Sequence, residues 1–359
     1  MKVLFFGLGS IGQRHVRNLR QLYGSSIEIL AYRTRNQSPL IQEDMSADFS
    51  KSPEEIYGIK SFSTIERALQ EKPQIAFITN PASMHLSSAL AAAKAGCHLF
   101  IEKPISHDLT GISELQKIIK EKKLISFVGY HTRFHPAIQQ IKKLLLEKKL
   151  GKILSAQFIF ATSLKHAHPY EDYKTGCAAR KDLGGGVVLS LIHELDLCYH
   201  FFGSPSQVFA LGGQLSSLEI DAEDTASALL EYENEGRTIP IHVYLDFIQN
   251  PPHRTCIIVG DRGKIFFDYF KNTLFIYDYI TKGFAESDTI QNTDSEKISF
   301  TNFKRNMLFL DEIKHFMSCV EENKTPQVSF LDGIESLKIA LALKKSMQSK
   351  QVERVSPHD

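Results

Sequence analysis

The chain has 359 residues, a length that suggests two domains, with 43% hydrophobic and 23% charged residues and a formal net charge of +1. That balance gives no electrostatic case for nucleic acid or an anionic membrane as partner, and no apolar stretch approaches the roughly 18 residues a membrane span needs. The N-terminus enters a strand without the layout of a signal peptide, and Cys97, Cys177, Cys198, Cys256 and Cys319 are odd in number and scattered, so reduced thiols in a cytoplasmic protein are expected.

The apolar run Lys2–Phe6 breaks at once into Gly7-Leu8-Gly9-Ser10-Ile11-Gly12, and a helical stretch follows from Gln13 to Leu22. This is G-x-G-x-x-G after a strand and opening a helix, the context in which it binds a dinucleotide. Gly7 makes the tight turn, Gly9 lets the backbone approach a pyrophosphate, and Gly12 lets helix and strand pack closely. The N–H groups around Ser10 and Ile11 and the positive helix end face the phosphates. Ile27–Tyr32 reads as the second strand and ends at Arg33-Thr34-Arg35, where an NAD site usually carries an acid on the ribose. A guanidinium there can grip a 2′-phosphate, so NADP is favoured and NAD is accepted as well; the alternative is that both arginines belong to a solvated loop.

Strand and helix then alternate as a parallel sheet requires. The expected elements are a helix at Ile65–Gln70, a strand at Gln74–Thr79, a helix at Met84–Ala95, a strand at His98–Ile101, a helix at Gly111–Glu121 and a strand at Leu124–Gly129. Gly7, Arg33, Asn80, Glu102 and Lys103 all fall at carboxyl ends of strands, where such sheets bind ligands. Beyond residue 129 the spacing changes to antiparallel strands at Leu154–Ala161, Gln207–Leu211, Thr225–Tyr232, Thr238–Leu245, Thr255–Gly260 and Lys264–Asp268, with turns at Asn234-Glu235-Gly236 and Asp261-Arg262-Gly263. Gly186–Phe202 reads as one apolar helix, Lys282–Lys297 as a polar loop, and Phe303–Glu321 and Leu331–Met347 as closing helices. The expectation is an α/β protein with a Rossmann domain at 1–128 and an α/β domain at 129–359 with an open, mainly antiparallel sheet, whose last helix can pack back on the first domain.

The glycine motif, Asn80-Pro81 with His85, Glu102-Lys103-Pro104, Arg133-Phe134-His135-Pro136, and Gly184-Gly185-Gly186 leading to His193-Glu194-Leu195-Asp196 together resemble the Gfo/Idh/MocA oxidoreductase family, over nearly the whole chain. The resemblance implies a Rossmann domain, an oligomer (homodimer or homotetramer) formed through the second sheet, and NAD(P)-dependent oxidation or reduction of a sugar or sugar derivative at one carbon. It makes Lys103 the catalytic lysine, His193 an acid or base on the sugar hydroxyl, and Asn80 and His85 part of the cofactor site, with Glu102 either holding that lysine or lining the cofactor pocket. It also implies a cis bond before Pro104 and a substrate role for Arg133. A buried ammonium can stabilise an alkoxide or relay its proton, and histidine titrates near neutral pH. Asp196 shares the helical face of His193 and could orient its ring, in catalysis or as a purely structural pair.

Many relatives carry an aspartate three or four residues before this histidine, where the chain has Ser190 and Leu189. The segment from His166 to Tyr173, with Arg180 beyond, resembles a substrate loop of members near acidic-sugar and surface-polysaccharide pathways. His168, Tyr173 and Arg180 are its candidates, against a mobile polar loop. His131-x-x-x-His135 and His166-x-His168 have zinc-like spacing without a clear third ligand, so no metal is expected. The competing readings are an NAD-dependent glycosidase-type enzyme without net redox change and a non-catalytic dinucleotide sensor.

Overall fold

The computed structural model describes residues 1–34, 38–234, 236–279 and 295–355. Arg35, Glu235 and most of the polar stretch from Lys282 onward therefore lie outside the described residues. The chain forms two compact units: Met1–His131 with Lys165–Gly185 and Asn306–Leu337, and Thr132–Leu164 with Gly186–Arg305 and Lys338–Asp359.

The first unit is built on six parallel strands: β1 (Lys2–Phe6), β2 (Glu28–Tyr32), β3 (Ile59–Phe62), β4 (Ile75–Ile78), β5 (His98–Ile101) and β6 (Ser126–Val128). Their order is β3-β2-β1-β4-β5-β6, the doubly wound arrangement of a dinucleotide-binding sheet. The central strands are continuous apolar runs because helices cover both faces. Phe5, Phe77, Phe100 and Phe127 sit side by side on β1, β4, β5 and β6, with ring centroids 4.8, 4.5 and 5.0 Å apart along the row. The crossover helices are α1 (Ser10–Tyr23), α2 (Pro53–Tyr57), α3 (Ile65–Gln70), α4 (Ala82–Lys94) and α5 (Ile112–Glu121). Sequence patterning missed β3 and α2, both short.

The second unit opens with α6 (Pro136–Leu146), which starts as its residues dictate: Pro136 is the first helical residue and the His135 Nδ1 accepts the Ala137 N–H at 3.1 Å. A nine-stranded sheet follows, formed by β7 (Ile153–Ala161), β8 (Gln207–Gly213), β9 (Thr225–Asn234), β10 (Arg237–Asp246), β11 (His253–Gly260), β12 (Gly263–Asp268), β13 (Thr273–Asp278), β14 (Ser295–Ser299) and β15 (Glu353–Arg354). The order is β14-β13-β12-β11-β7-β10-β9-β8-β15, antiparallel except where β7 meets β10. Buried residues alternate with half-buried ones along β11 and β12. The other face carries Ile257, Phe266 and Phe275, directly opposite one another across three strands. The last residues of the expected polar loop belong to β14, where Lys297 pairs with Phe275.

The remaining helices are α7 (Leu164–Ala167), α8 (Val187–Ser190), α9 (His193–Phe202), α10 (Asn306–Glu322) and α11 (Phe330–Ser349). The expected single helix over 186–202 is thus two. Apolar residues lie on both sides of the break, but Leu191 sits at φ −99° and ψ 26°, outside the helical range, and α9 restarts with His193. Among the described residues no helix is long and apolar enough to cross a membrane.

Candidate active site

The turn after β1 has the geometry the glycines require. Gly7 has φ +104°, and a Cβ there would lie 3.0 Å from the Asn80 backbone. A Cβ on Gly12 would meet the Gly7 carbonyl at 2.5 Å, so helix and strand touch backbone to backbone. The Thr79 hydroxyl donates to the Gly7 carbonyl at 2.7 Å and ties the turn to the end of β4. Gly9 caps α1 with no side-chain hydrogen bond, and the first turn holds no acid. Nothing lies within 4 Å of where a Gly9 Cβ would be. Ser10 and Ile11 follow, both half-buried. These uncapped amides and the open space over Gly9 fit a pyrophosphate.

Four expected cofactor contacts, Arg33, His85, Glu102 and Asn80, have side chains with partners within the unit. Arg33 is paired with Glu54 of α2, and its Nη2 donates to Ser38 Oγ at 2.7 Å. His85 is buried, with Nδ1 2.7 Å from the Pro104 carbonyl and Nε2 2.7 Å from the Asn80 carbonyl. Burial lowers its pKa while the two carbonyls oppose that shift, and the ring lies between the turn after β4 and the turn after β5. Glu102 points inward: Oε1 is 2.7 Å from His15 Nε2, and Oε2 accepts the Lys103 N–H at 3.2 Å. Asn80 donates its side-chain amide to Ser88 at 2.8 Å. Lys103 is half-buried two residues past β5, and the peptide to Pro104 is cis.

In the stretch 165–185 of the same unit, His168 Nδ1 lies 2.9 Å from Glu171 and its ring stacks on Tyr170 at 5.5 Å. Tyr173 is half-buried with the Lys165 ammonium 5.9 Å from its ring, and exposed Arg180 makes a two-pronged pair with Asp182 at 3.0 and 2.6 Å. Tyr170 reaches the Ser10 side chain, a link no local pattern announces.

In the second unit His193 is 5% exposed at the start of α9. Asp196, three residues on, is held by Arg133, whose Nε and Nη2 donate to the two carboxylate oxygens at 2.9 and 2.6 Å. Arg133, expected as a substrate contact, is thereby half of a buried ion pair. Glu194 is held likewise by Arg254 at 2.6 Å, with the guanidinium between the Phe160 and Tyr269 rings. Leu189 is buried and Ser190 half-buried. His135 is the α6 cap, and burial pushes it down to about 4. His131 stacks on Phe309 at 4.3 Å. Among the described residues, a grouping of metal-type side chains lies at His15, Glu102 and Glu312. Sequence reasoning missed His15 and Glu312. The readable sign was an acid on the apolar stripe Leu308, Phe309, Ile313 and Phe316 of α10.

Residues 1–130 match the family model for the NAD-binding Rossmann fold of an oxidoreductase family, and residues 142–356 match the model for that family's C-terminal alpha/beta domain. The myo-inositol 2-dehydrogenase of Thermotoga maritima is 24% identical over 98% of this chain and 97% of its own. The UDP-N-acetylglucosamine 3-dehydrogenase of Acidithiobacillus ferrooxidans is 26% identical over 79% and 80%. A levoglucosan dehydrogenase solved with NADH and L-sorbose shares the fold at a TM-score of 0.81 and 17% identity, covering 99% of each chain. With both family models matched along nearly its whole length, the chain belongs to the Gfo/Idh/MocA oxidoreductase family.

Proposed function

We propose that this chain oxidises or reduces one carbon of a sugar or sugar-like polyol with a nicotinamide dinucleotide, residues 1–128 holding the cofactor and 129–359 serving substrate and assembly. The observation that carries this is the shared edge of the parallel sheet: Gly7, Asn80 and Lys103 follow β1, β4 and β5 at their carboxyl ends. Relatives named for inositol, UDP-N-acetylglucosamine and levoglucosan set the substrate class. They are dehydrogenases, which disfavours the glycosidase and sensor readings.

Bound, the nicotinamide supplies the carbon that takes or gives the hydride. The amides from Gly9 to Gly12 bind its pyrophosphate. Lys103 stabilises the alkoxide formed when the substrate hydroxyl loses its proton, and His193 takes that proton in oxidation and returns it in reduction. With Ser190 and Leu189 in place of a carboxylate, these two carry the proton chemistry. The Arg133–Asp196 pair fixes the helix that presents His193. His168, Tyr173 and Arg180 supply stacking and charge for an acidic sugar.

NADP is the preferred dinucleotide in this reading, through Arg33 and Ser38. The Glu54 carboxylate opposite neutralises the guanidinium, so the preference is smaller than an unpaired arginine would give. The face carrying Ile257, Phe266 and Phe275 is the subunit interface of a homodimer or homotetramer. Cys97, Cys198, Cys256 and Cys319 are buried thiols, which favours a cytoplasmic setting. The test is nicotinamide absorbance with a panel of sugars and polyols. Turnover of a sugar with net consumption of the cofactor is expected, and turnover with no net change would overturn the redox reading.

A further inference from the structure

Three titratable side chains of the first unit meet in its interior beside the Lys103 turn. His15 on α1 and Glu312 on α10 are fully buried, and Glu102 is 6% exposed. One nitrogen or oxygen from each lies within 4.8 Å of the other two. The His15 ring is boxed by Phe100 at 4.9 Å, Phe77 at 5.6 Å and Phe309 at 6.1 Å, so it has little freedom to turn away.

The hydrogen bonds are uneven. Glu102 takes one from the His15 ring and one from the Lys103 N–H. Glu312 has none: neither oxygen finds a partner among the described residues, and His15 Nδ1 has none either. Two buried carboxylates this close strongly disfavour being ionised together. The proton therefore belongs on the acid that lacks donors.

We propose that Glu312 is held as a neutral acid whose O–H completes a hydrogen-bonded array with Glu102 and His15, and that this array positions Lys103 through the Glu102 carboxylate. Within 4.8 Å, side-chain rotation or one bridging water closes the link. Burial, and then the Glu102 charge, push the Glu312 carboxyl well above the usual range, with Arg14 opposing. The groups that face it are His15 and Arg14 from α1 and Glu102 from the end of β5. On its own helix the nearest titratable residues are Asp311, Lys314 and His315, and His131 packs on Phe309 one turn earlier. The positioning role rests on the reading of Lys103 given above. The protonation state of Glu312 does not.

The experiment has two arms on the full chain. Infrared difference spectra between wild type and Glu312→Gln at neutral pH, without substrate, should show a protonated-carboxyl band that shifts in D₂O. Its absence overturns the array even if Lys103 proves essential. A divalent ion retained at one per chain and lost in Glu312→Gln also overturns it, because the cluster would then hold a metal. In the kinetic arm, Glu312→Met removes a donor to Glu102. It should move the acid limb of kcat/KM to higher pH and lower kcat on the order of tenfold, with KM for the dinucleotide unchanged. Glu312→Gln, whose amide still donates, should restore the limb. Equal limbs in all three proteins overturn the positioning role, while normal turnover in Lys103→Ala would remove the Lys103 reading and leave the infrared result standing.

Discussion

Arg133 holds both carboxylate oxygens of Asp196, at 2.9 and 2.6 Å, with side chains 2% and 0% exposed. The pair joins the short helical turn before α6 to the first turn of α9, which also carries His193. Removing one partner leaves a buried charge, so Arg133→Met should destabilise the protein by about 3–5 kcal/mol. Urea unfolding measures this. A loss below about 1 kcal/mol would show the pair to be dispensable.

Lys103→Ala should leave the fold intact and lower kcat by on the order of a hundredfold or more. Circular dichroism checks the fold and steady-state kinetics the rate. Normal kcat in the folded variant removes Lys103 from the chemistry.

Cofactor preference turns on the Arg33–Glu54 pair. A charge-assisted hydrogen bond is worth about 1.5–3 kcal/mol. Arg33→Asp should therefore weaken NADP about ten- to a hundredfold relative to NAD, and Glu54→Gln should strengthen NADP by releasing the guanidinium. Titration of both dinucleotides checks this. A wild type that prefers NAD, or an Arg33→Asp protein with unchanged preference, would make Arg33 a structural residue only.

Self-association should run through the row Ile257, Phe266 and Phe275, where the Phe266 and Phe275 rings stack at 6.1 Å. Light scattering at micromolar concentration should give a dimer or tetramer for wild type and a monomer for Phe266→Asp. A monomeric wild type contradicts the interface.

His135 gives a pH dependence with a definite sign. Its Nδ1 must be unprotonated to cap α6, and burial lowers the folded pKa from 6.5 to about 4. The unfolded chain binds the extra proton first, so the contribution is complete above about pH 6.5 and is lost as pH falls towards 4. At 1.36 kcal/mol per pKa unit the loss is about 3 kcal/mol. His135→Asn keeps a capping side chain and cannot titrate, so its unfolding free energy should fall less between pH 7 and pH 4.5. Parallel slopes for the two proteins would assign the dependence to other groups.

The local sequence determined the glycine turn and the central apolar strands. A strand ending in spaced glycines has one economical backbone path into a helix, and the observed Gly7 and Gly12 geometry follows it. Apolar runs of strand length separated by helical periods require a parallel sheet, so β1 and β5 were legible to the residue. Lys103 was readable as a residue just past a strand end for the same reason. The tertiary structure alone decided which polar groups meet. Asp196 and Arg133 are 63 residues apart, His15 and Glu102 are 87, and Arg33 and Glu54 are 21. Periodicity assigns a charged side chain to a face but carries no information about what that face packs against. A buried charge takes whichever opposite charge or donor the fold brings within about 3 Å, because leaving it unpaired costs more than any local preference supplies. That is why Asp196, Arg33 and Glu102 could be placed on the chain from the sequence, while the side chains they pair with came only from the packed elements.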